Sequence, residues 1–339
     1  MEHFFQRNRS LASLAQEFGI RSRERLAEDL KVVLHRVARR EQFDVGLSSA
    51  GLVRPDLSLP AYAGVVPADG LAPIYNLFDR VGGGKRYRTA VTRVRARDFR
   101  GGRLTYDDHD GVDLVCPPGT ALRSAAPGVL VAVRDTWLRG GMTACVDHGN
   151  GVVTHYTHLS RMVAEVGQPL RRGETVALSG VTGLDMTSFF PWVPPHVHFM
   201  IWVDGRPVDP FRAPSEPERA GTWVGGNEPL TVSGSLPEDE EPEREASIGV
   251  DRGALERVMS MCRSERVRAE LRRACSEAGR VAIVEDDRHH GWDNWPDEAR
   301  VVKLREGGEA RRVKLTLPLP ASDYRGVRIA DRWWTRPGA

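Results

Sequence analysis

Three short segments concentrate residues able to hold a metal ion or move a proton: His109-Asp110-Gly111-Val112-Asp113, His155-Tyr156-Thr157-His158 and Pro195-His196-Val197-His198. The chain has ten histidines, and six of them fall between His109 and His198. Side chains on an extended strand alternate between its faces, so His196 and His198 share a face, as do His109 and Asp113 four residues apart. His155 and His158 are three apart and oppose each other on a straight strand, so one of the two is expected to join the cluster. Two imidazoles and one carboxylate with a fourth position open is a catalytic zinc arrangement. Residue types and spacing alone leave four histidines for about three ligand places.

The wording around these residues narrows the choice. His109-x-Gly111-x-Asp113 resembles the H-x-G-x-D signature of the lysostaphin-type (LytM-like) murein peptidases. Tyr156-Thr157-His158-Leu159-Ser160 resembles their Y-x-H-L-S segment, and Pro195-His196-Val197-His198-Phe199 their P-H-x-H-F segment. Ala126-Pro127-Gly128-Val129, Gly149-Asn150-Gly151 and Val166-Gly167-Gln168-Pro169-Leu170 agree in order and spacing. The resemblance covers residues 104–213, about a third of the chain. It implies one zinc ion per chain, held by His109, Asp113 and His198, with His158 and His196 beside it as catalytic groups. Either imidazole could orient or deprotonate the attacking water, and both could donate to an oxyanion. The implied activity is that of a zinc endopeptidase cutting peptide cross-links of bacterial peptidoglycan, with peptide stems as partner. Two other readings stand beside it: a catalytically silent binding or regulatory module on the same fold, and a zinc peptidase acting on a non-wall peptide. The sequence departs from the family at Leu184 to Pro194, which is longer and aromatic, and at Met200, where Glu is frequent. Tyr156, Phe189, Phe190 and Trp192 are candidate groove residues; the last three could equally pack against flanking segments.

The elements that must position these residues are short strands. Apolar runs recur at Val112–Cys116, Val129–Arg134, Thr143–Asp147, Val152–Tyr156, Thr175–Leu178 and Val197–Val203, separated by Pro/Gly turns. That pattern predicts a central all-β, mainly antiparallel peptidase domain over 104–213 in a multi-domain chain. An N-terminal helical segment is expected over 1–43, with helices at Ser10–Phe18 and Ser22–Glu41, then a loop-rich connector over 44–103. An acidic, solvated linker is expected over 214–248. A separate, small α+β domain follows over 249–339, with helix from Asp251 to Gly279 and strands at Arg280–Glu285, Ala299–Arg305, Ala310–Leu317 and Arg325–Ile329. His289-His290 is expected in an exposed loop, and Asp108 and Asp110 in solvent.

Net charge is +2 over 339 residues, too even to call for nucleic acid, and no nucleic-acid partner is expected. No run of about 18 apolar residues exists, so no transmembrane segment is expected. Met1 to Arg9 lacks the apolar core of a secretory signal. Extracytoplasmic action, expected from the substrate, would then need another export route, cell lysis, a host virion or a wrongly placed start codon. The four cysteines permit a Cys262–Cys275 bridge or four reduced thiols.

Overall fold

The structure, a computed structural model, describes residues 47–82, 92–136, 140–183, 189–241, 249–290, 294–306 and 313–338, together with Ala15, Phe18, Ala27, the pairs 43–44 and 89–90, and Met186. The two expected N-terminal helices lie outside the described residues apart from three single positions.

Among the described residues eleven strands form one sheet: β1 (Leu71–Asn76), β2 (Val112–Val115), β3 (Ala121–Arg123), β4 (Gly128–Thr136), β5 (Gly141–Asp147), β6 (Val152–Met162), β7 (Pro169–Leu170), β8 (Thr175–Ser179), β9 (His196–Val203), β10 (Arg206–Val208) and β11 (Gly326–Ile329). Their order is β11-β1-β2-β9-β6-β5-β4-β7; β8 bridges β6 and β3, and β10 pairs with β9. All pairings are antiparallel except β11 on β1. The β5–β6 hairpin turns through Gly149-Asn150-Gly151, each with positive φ, and His148 N donates to Val152 O.

The helices are α1 (Pro55–Tyr62), α2 (Arg252–Ser260), α3 (Glu265–Arg273), α4 (Glu277–His290) and α5 (Asp297–Val301). Asp251 and Ser264 cap α2 and α3 by accepting from Ala254 N and Val267 N. The central strands are buried on both faces, and period two sorts their side chains between two cores. On β9, Phe199 and Ile201 join Ile74, Leu114, Tyr156 and Trp223 on one face. Met200 and Trp202 turn to the other, with Val131, Cys145 and Val153, and meet Leu255, Val258, Leu271, Val281 and Val284 of the helices. Gly279 lets α4 lie against β4, since a Cβ there would stand 2.5 Å from Val131 O.

Several expectations are corrected. Residues after 249 do not form a separate domain: α2 to α4 complete one core of the central sheet, and β11 is its edge strand. The run Arg280–Glu285 is helix, not strand, because α4 is buried over most of its length and its apolar residues form a block rather than a stripe. Ala299–Arg305 holds the end of α5 and a single bridge at Arg305, and 307–312 lies outside the described residues. The loop-rich connector contributes α1 and β1, whose Pro73 precedes the Ile74↔Leu114 pairing with β2. The linker is not wholly solvated: Trp223 is buried, and Asp239 makes a buried, bidentate pair with Arg172 at 2.6 and 2.7 Å. All four cysteines are free. Among the described residues no helix is long and apolar enough to cross a membrane.

His148 binds Pro127 O through Nδ1 (2.9 Å) and Thr154 Oγ1 through Nε2 (2.8 Å), and burial pushes its pKa down to about 4. A histidine depressed in the fold is protonated first in the unfolded chain, so stability falls as pH drops from 6.5 towards 4. Thermal melts at pH 7 and pH 5 should show this fall, and His148→Gln should flatten it; equal slopes would remove His148 as a cause.

Candidate metal centre

Strand register brings the centre together. β2 lies between β1 and β9, and its Asp113 stands opposite Asn76 on one side and His198 on the other. His109 enters from the turn before β2, its amide bonded to Tyr106 O at 3.1 Å. Three atoms converge: Asp113 Oδ1, His109 Nε2 and His198 Nδ1, separated by 3.2, 2.8 and 3.1 Å. Asn76 Nδ2 donates to the other oxygen of Asp113 at 2.7 Å and fixes its plane.

The outer bonds decide the tautomers. His109 Nδ1 lies 2.6 Å from the carbonyl of Leu77, which only accepts, so Nδ1 carries hydrogen and Nε2 turns its lone pair inward. His198 Nε2 lies 3.1 Å from Asp110 Oδ1, so its hydrogen is there and Nδ1 faces the cluster. Two nitrogen lone pairs and a carboxylate oxygen thus point at one spot, an arrangement that repels unless a proton or a cation lies between them. This donor set suits a zinc-type ion, and the bonds to Leu77 O, Asn76 Nδ2 and Asp110 Oδ1 hold its three side chains in line.

His158 and His196 flank this trio with their rings 4.9 Å apart, and His196 Nε2 is 3.5 Å from Asp113 Oδ1. Their Nδ1 atoms donate to Thr182 O and Pro194 O, both at 2.7 Å, which leaves each Nε2 as an acceptor. Burial, then the neighbouring imidazoles His196 and His198, pushes His158 down to about 3; burial also lowers His196. Burial opposes the charged form of His198 too, but hydrogen bonds to Asp110 and Asp113 outweigh it and push it up to about 9. His158 has φ +58°, in the left-handed region. The β5–β6 register shifts between Met142↔Leu159 and Ala144↔Tyr156, and this irregularity turns His158 into the site, although on a straight strand it would face away from His155 three residues earlier. His155, paired with Met200, lies on the same face as His198 but farther along the sheet, stacked on Trp202 at 5.1 Å and out of reach of the donor trio.

Residues 107–210 match peptidase family M23. The chain carries an M23, LytM-like peptidase domain. The M23 match is shared with relatives much longer than it. Peptidoglycan DD-endopeptidase ShyA of Vibrio cholerae is 36% identical over 105 residues, 31% of this chain and 23% of that protein. DD-carboxypeptidase/endopeptidase Mpg of Neisseria meningitidis is 33% identical over 106 residues, 31% and 23% of the two chains. Each match therefore spans about a quarter of the relative's length. Among solved structures, the catalytic domain of lysostaphin from Staphylococcus simulans is 27% identical, covering 30% of this chain and 76% of that one, with TM-score 0.27.

Of the candidate groove residues of the M23 domain, Tyr156 lies elsewhere than expected and Phe190 takes the packing alternative. Tyr156 is fully buried: strand alternation points it into the core beside Phe199, and its hydroxyl accepts from Ala125 N at 3.0 Å. Phe190 packs edge-on against Tyr62 of α1 at 4.9 Å and against Phe18 at 5.2 Å. Phe189 and Trp192 are partly exposed. The cavity beside His198 is lined instead by Tyr106, Asp110, Thr157, His158 and, from α4, Asp286 and His290. Asp110 is buried rather than solvated, and His289 and His290 end a helix against it rather than lying in a loop. Spacing along the chain held no sign of this, because the partners are about 180 residues apart. The notable local signal was a second carboxylate inside the H-x-G-x-D motif.

Gly111 explains its own place in that motif. A Cβ there would lie 2.7 Å from His198 Cε1 and 2.7 Å from Phe199 O, so a side chain would push the His198 ring off line. Gly111→Ala is expected to weaken metal binding about 10–100-fold, the range for losing a ligand's orienting contacts, as read by zinc titration of folded protein. Unchanged affinity would mean the ring has room to move.

Proposed function

We propose that this chain is a zinc-dependent endopeptidase that hydrolyses peptide cross-links of bacterial peptidoglycan, with His109, Asp113 and His198 holding the metal and His158 and His196 acting on the water. The observation that carries this reading is the convergence of three lone-pair donors within 3.2 Å, with the imidazoles of His158 and His196 packed beside them, His196 Nε2 3.5 Å from Asp113 Oδ1. The M23 match and the names of the relatives, two of them peptidoglycan DD-endopeptidases, support the substrate class. A zinc ion bound there would polarise the scissile carbonyl and make water acidic enough to ionise near neutral pH.

The chain's own residues supply the rest. His158 and His196 keep their Nδ1 hydrogens on backbone carbonyls, so at neutral pH each Nε2 accepts a hydrogen bond from water and can take its proton. Donation to an oxyanion by either ring then requires that proton to have arrived. Burial of all five side chains excludes bulk water and strengthens each of these contacts.

The test combines zinc content with release of soluble fragments from purified peptidoglycan. About one or more zinc ions per chain, with release abolished by a chelator and restored by zinc, is the expected result. A zinc-loaded chain that releases nothing from any wall type would overturn the substrate; a chain that takes up no zinc would overturn the reading of the donors.

A further inference from the structure

We propose that the chain holds a second divalent metal ion of the zinc type, on Asp110, His289 and His290, with no ligand in common with the His109–Asp113–His198 set. The proposal goes beyond the peptidase reading and does not depend on it.

Helix α4 ends on His289 and His290, and its position is rigidly set. Gly279 seats it on β4, and Arg134 of β4 is buried among Glu270, Asp286 and Asp287. This delivers both imidazoles to one buried carboxylate. His290 Nε2 lies 2.8 Å and His289 Nε2 3.0 Å from Asp110 Oδ2. All three donor atoms fall within 4.8 Å of one another. His290 Nδ1 is 3.1 Å from Asp286 Oδ1, one turn back on the helix, so its hydrogen belongs there. Its Nε2 lone pair then faces a carboxylate oxygen, a contact that holds only with a proton or a cation between the two. The His289 ring is held edge-on by Trp202 at 5.2 Å.

The distances fit an ion. Ligands at about 2.0–2.1 Å around a tetrahedral zinc stand roughly 3.3 Å apart, close to the spacing at Asp110. Two imidazoles and a carboxylate select zinc over magnesium or calcium. His290 also lines the cavity shared with His158 and His198, which leaves an open side for a further ligand. Asp110 faces both ways: Oδ1 takes the hydrogen of His198 Nε2, and Oδ2 meets the two imidazoles.

The experiment is metal counting on the full chain. Protein stripped with chelator is titrated with Zn2+ by calorimetry, and bound metal is measured after desalting; Co2+ absorption serves as a second probe. Wild type is expected to hold two ions. His289→Ala/His290→Ala should hold one, and His109→Ala/Asp113→Ala should hold one as well. One ion in wild type, with no loss in His289→Ala/His290→Ala, would overturn the proposal and leave a proton as the bridge. If the double variant fails to fold, His289→Ala alone, at a partly exposed side chain, should weaken one of the two ions by at least about tenfold; two unaltered affinities would overturn it. Two ions in a chain that releases nothing from cell wall would leave this site standing and remove the proposed function.

Discussion

Replacing His158 by alanine is expected to leave binding of the ion at His109, Asp113 and His198 unchanged and to lower peptide hydrolysis about 10²–10⁴-fold, the usual contribution of a positioned acid–base group. His198→Ala should instead lose both that ion and the activity. The contrast follows from where the lone pairs point. His198 Nδ1 is 2.8 Å from Asp113 Oδ1, inside the donor trio. His158 touches none of the three donors at hydrogen-bond distance; its ring centre is 6.3 Å from that of His198. Its left-handed backbone is strained, at a cost of about 1–3 kcal/mol, and such strain persists where the surroundings over-determine it. Here the surroundings are the 2.7 Å bonds from His158 N to Gly140 O and from Gly180 N to His158 O. Zinc content and steady-state rates on the two variants check the assignment. Loss of metal in His158→Ala would make it a ligand; full activity would remove it from the reaction.

Arg134→Met is expected to destabilise the fold by about 3–5 kcal/mol, the cost of stranding a buried charge. The Arg134 side chain is 1% exposed and holds Asp287 at 2.9 Å, Glu270 at 2.9 Å and Asp286 more closely still. Methionine would fill much of the volume and leave Asp286 and Asp287 without their cation. The pH slope identifies the cause. In the native chain Arg134 and His290 outweigh burial and hold Asp286 well below the usual carboxylate range. A lowered carboxylate contributes stability that is present above pH 4 and lost as pH falls further. In the variant burial would act unopposed by Arg134, raising that pKa, so the variant should gain stability as pH falls from 7 towards 5. Denaturant melts at the two pH values measure this; parallel curves would mean that packing, not charge, fails.

The strands were legible because turn glycines and period-two apolar runs are local. Val129–Arg134 lies within β4, and Val197–Val203 within β9. The run Val281–Val284 was not legible as helix, since a short apolar block fits a buried strand equally well and only docking on Trp202 and Val131 decides. β1 was hidden by Pro73, which reads as a break yet sits just before the pairing with β2 begins. At the site, the common face of His196 and His198 is a property of any strand, and both do lie near Asp113. Asp110 was misplaced because a lone carboxylate beside a glycine is ordinarily solvated, and nothing near it in the chain announces His290.

The docking of α2 to α4 on the sheet means that the stretch of sequence shared with relatives is not a piece that can be cut out. A fragment ending near residue 213 would bare Val131, Val153, Met200 and Trp202, now buried under the helices, as one contiguous apolar surface. It would leave Arg134 unneutralised beneath that surface. Expressed alone, such a fragment should aggregate, and recombinant work on this protein must carry the chain through at least His290.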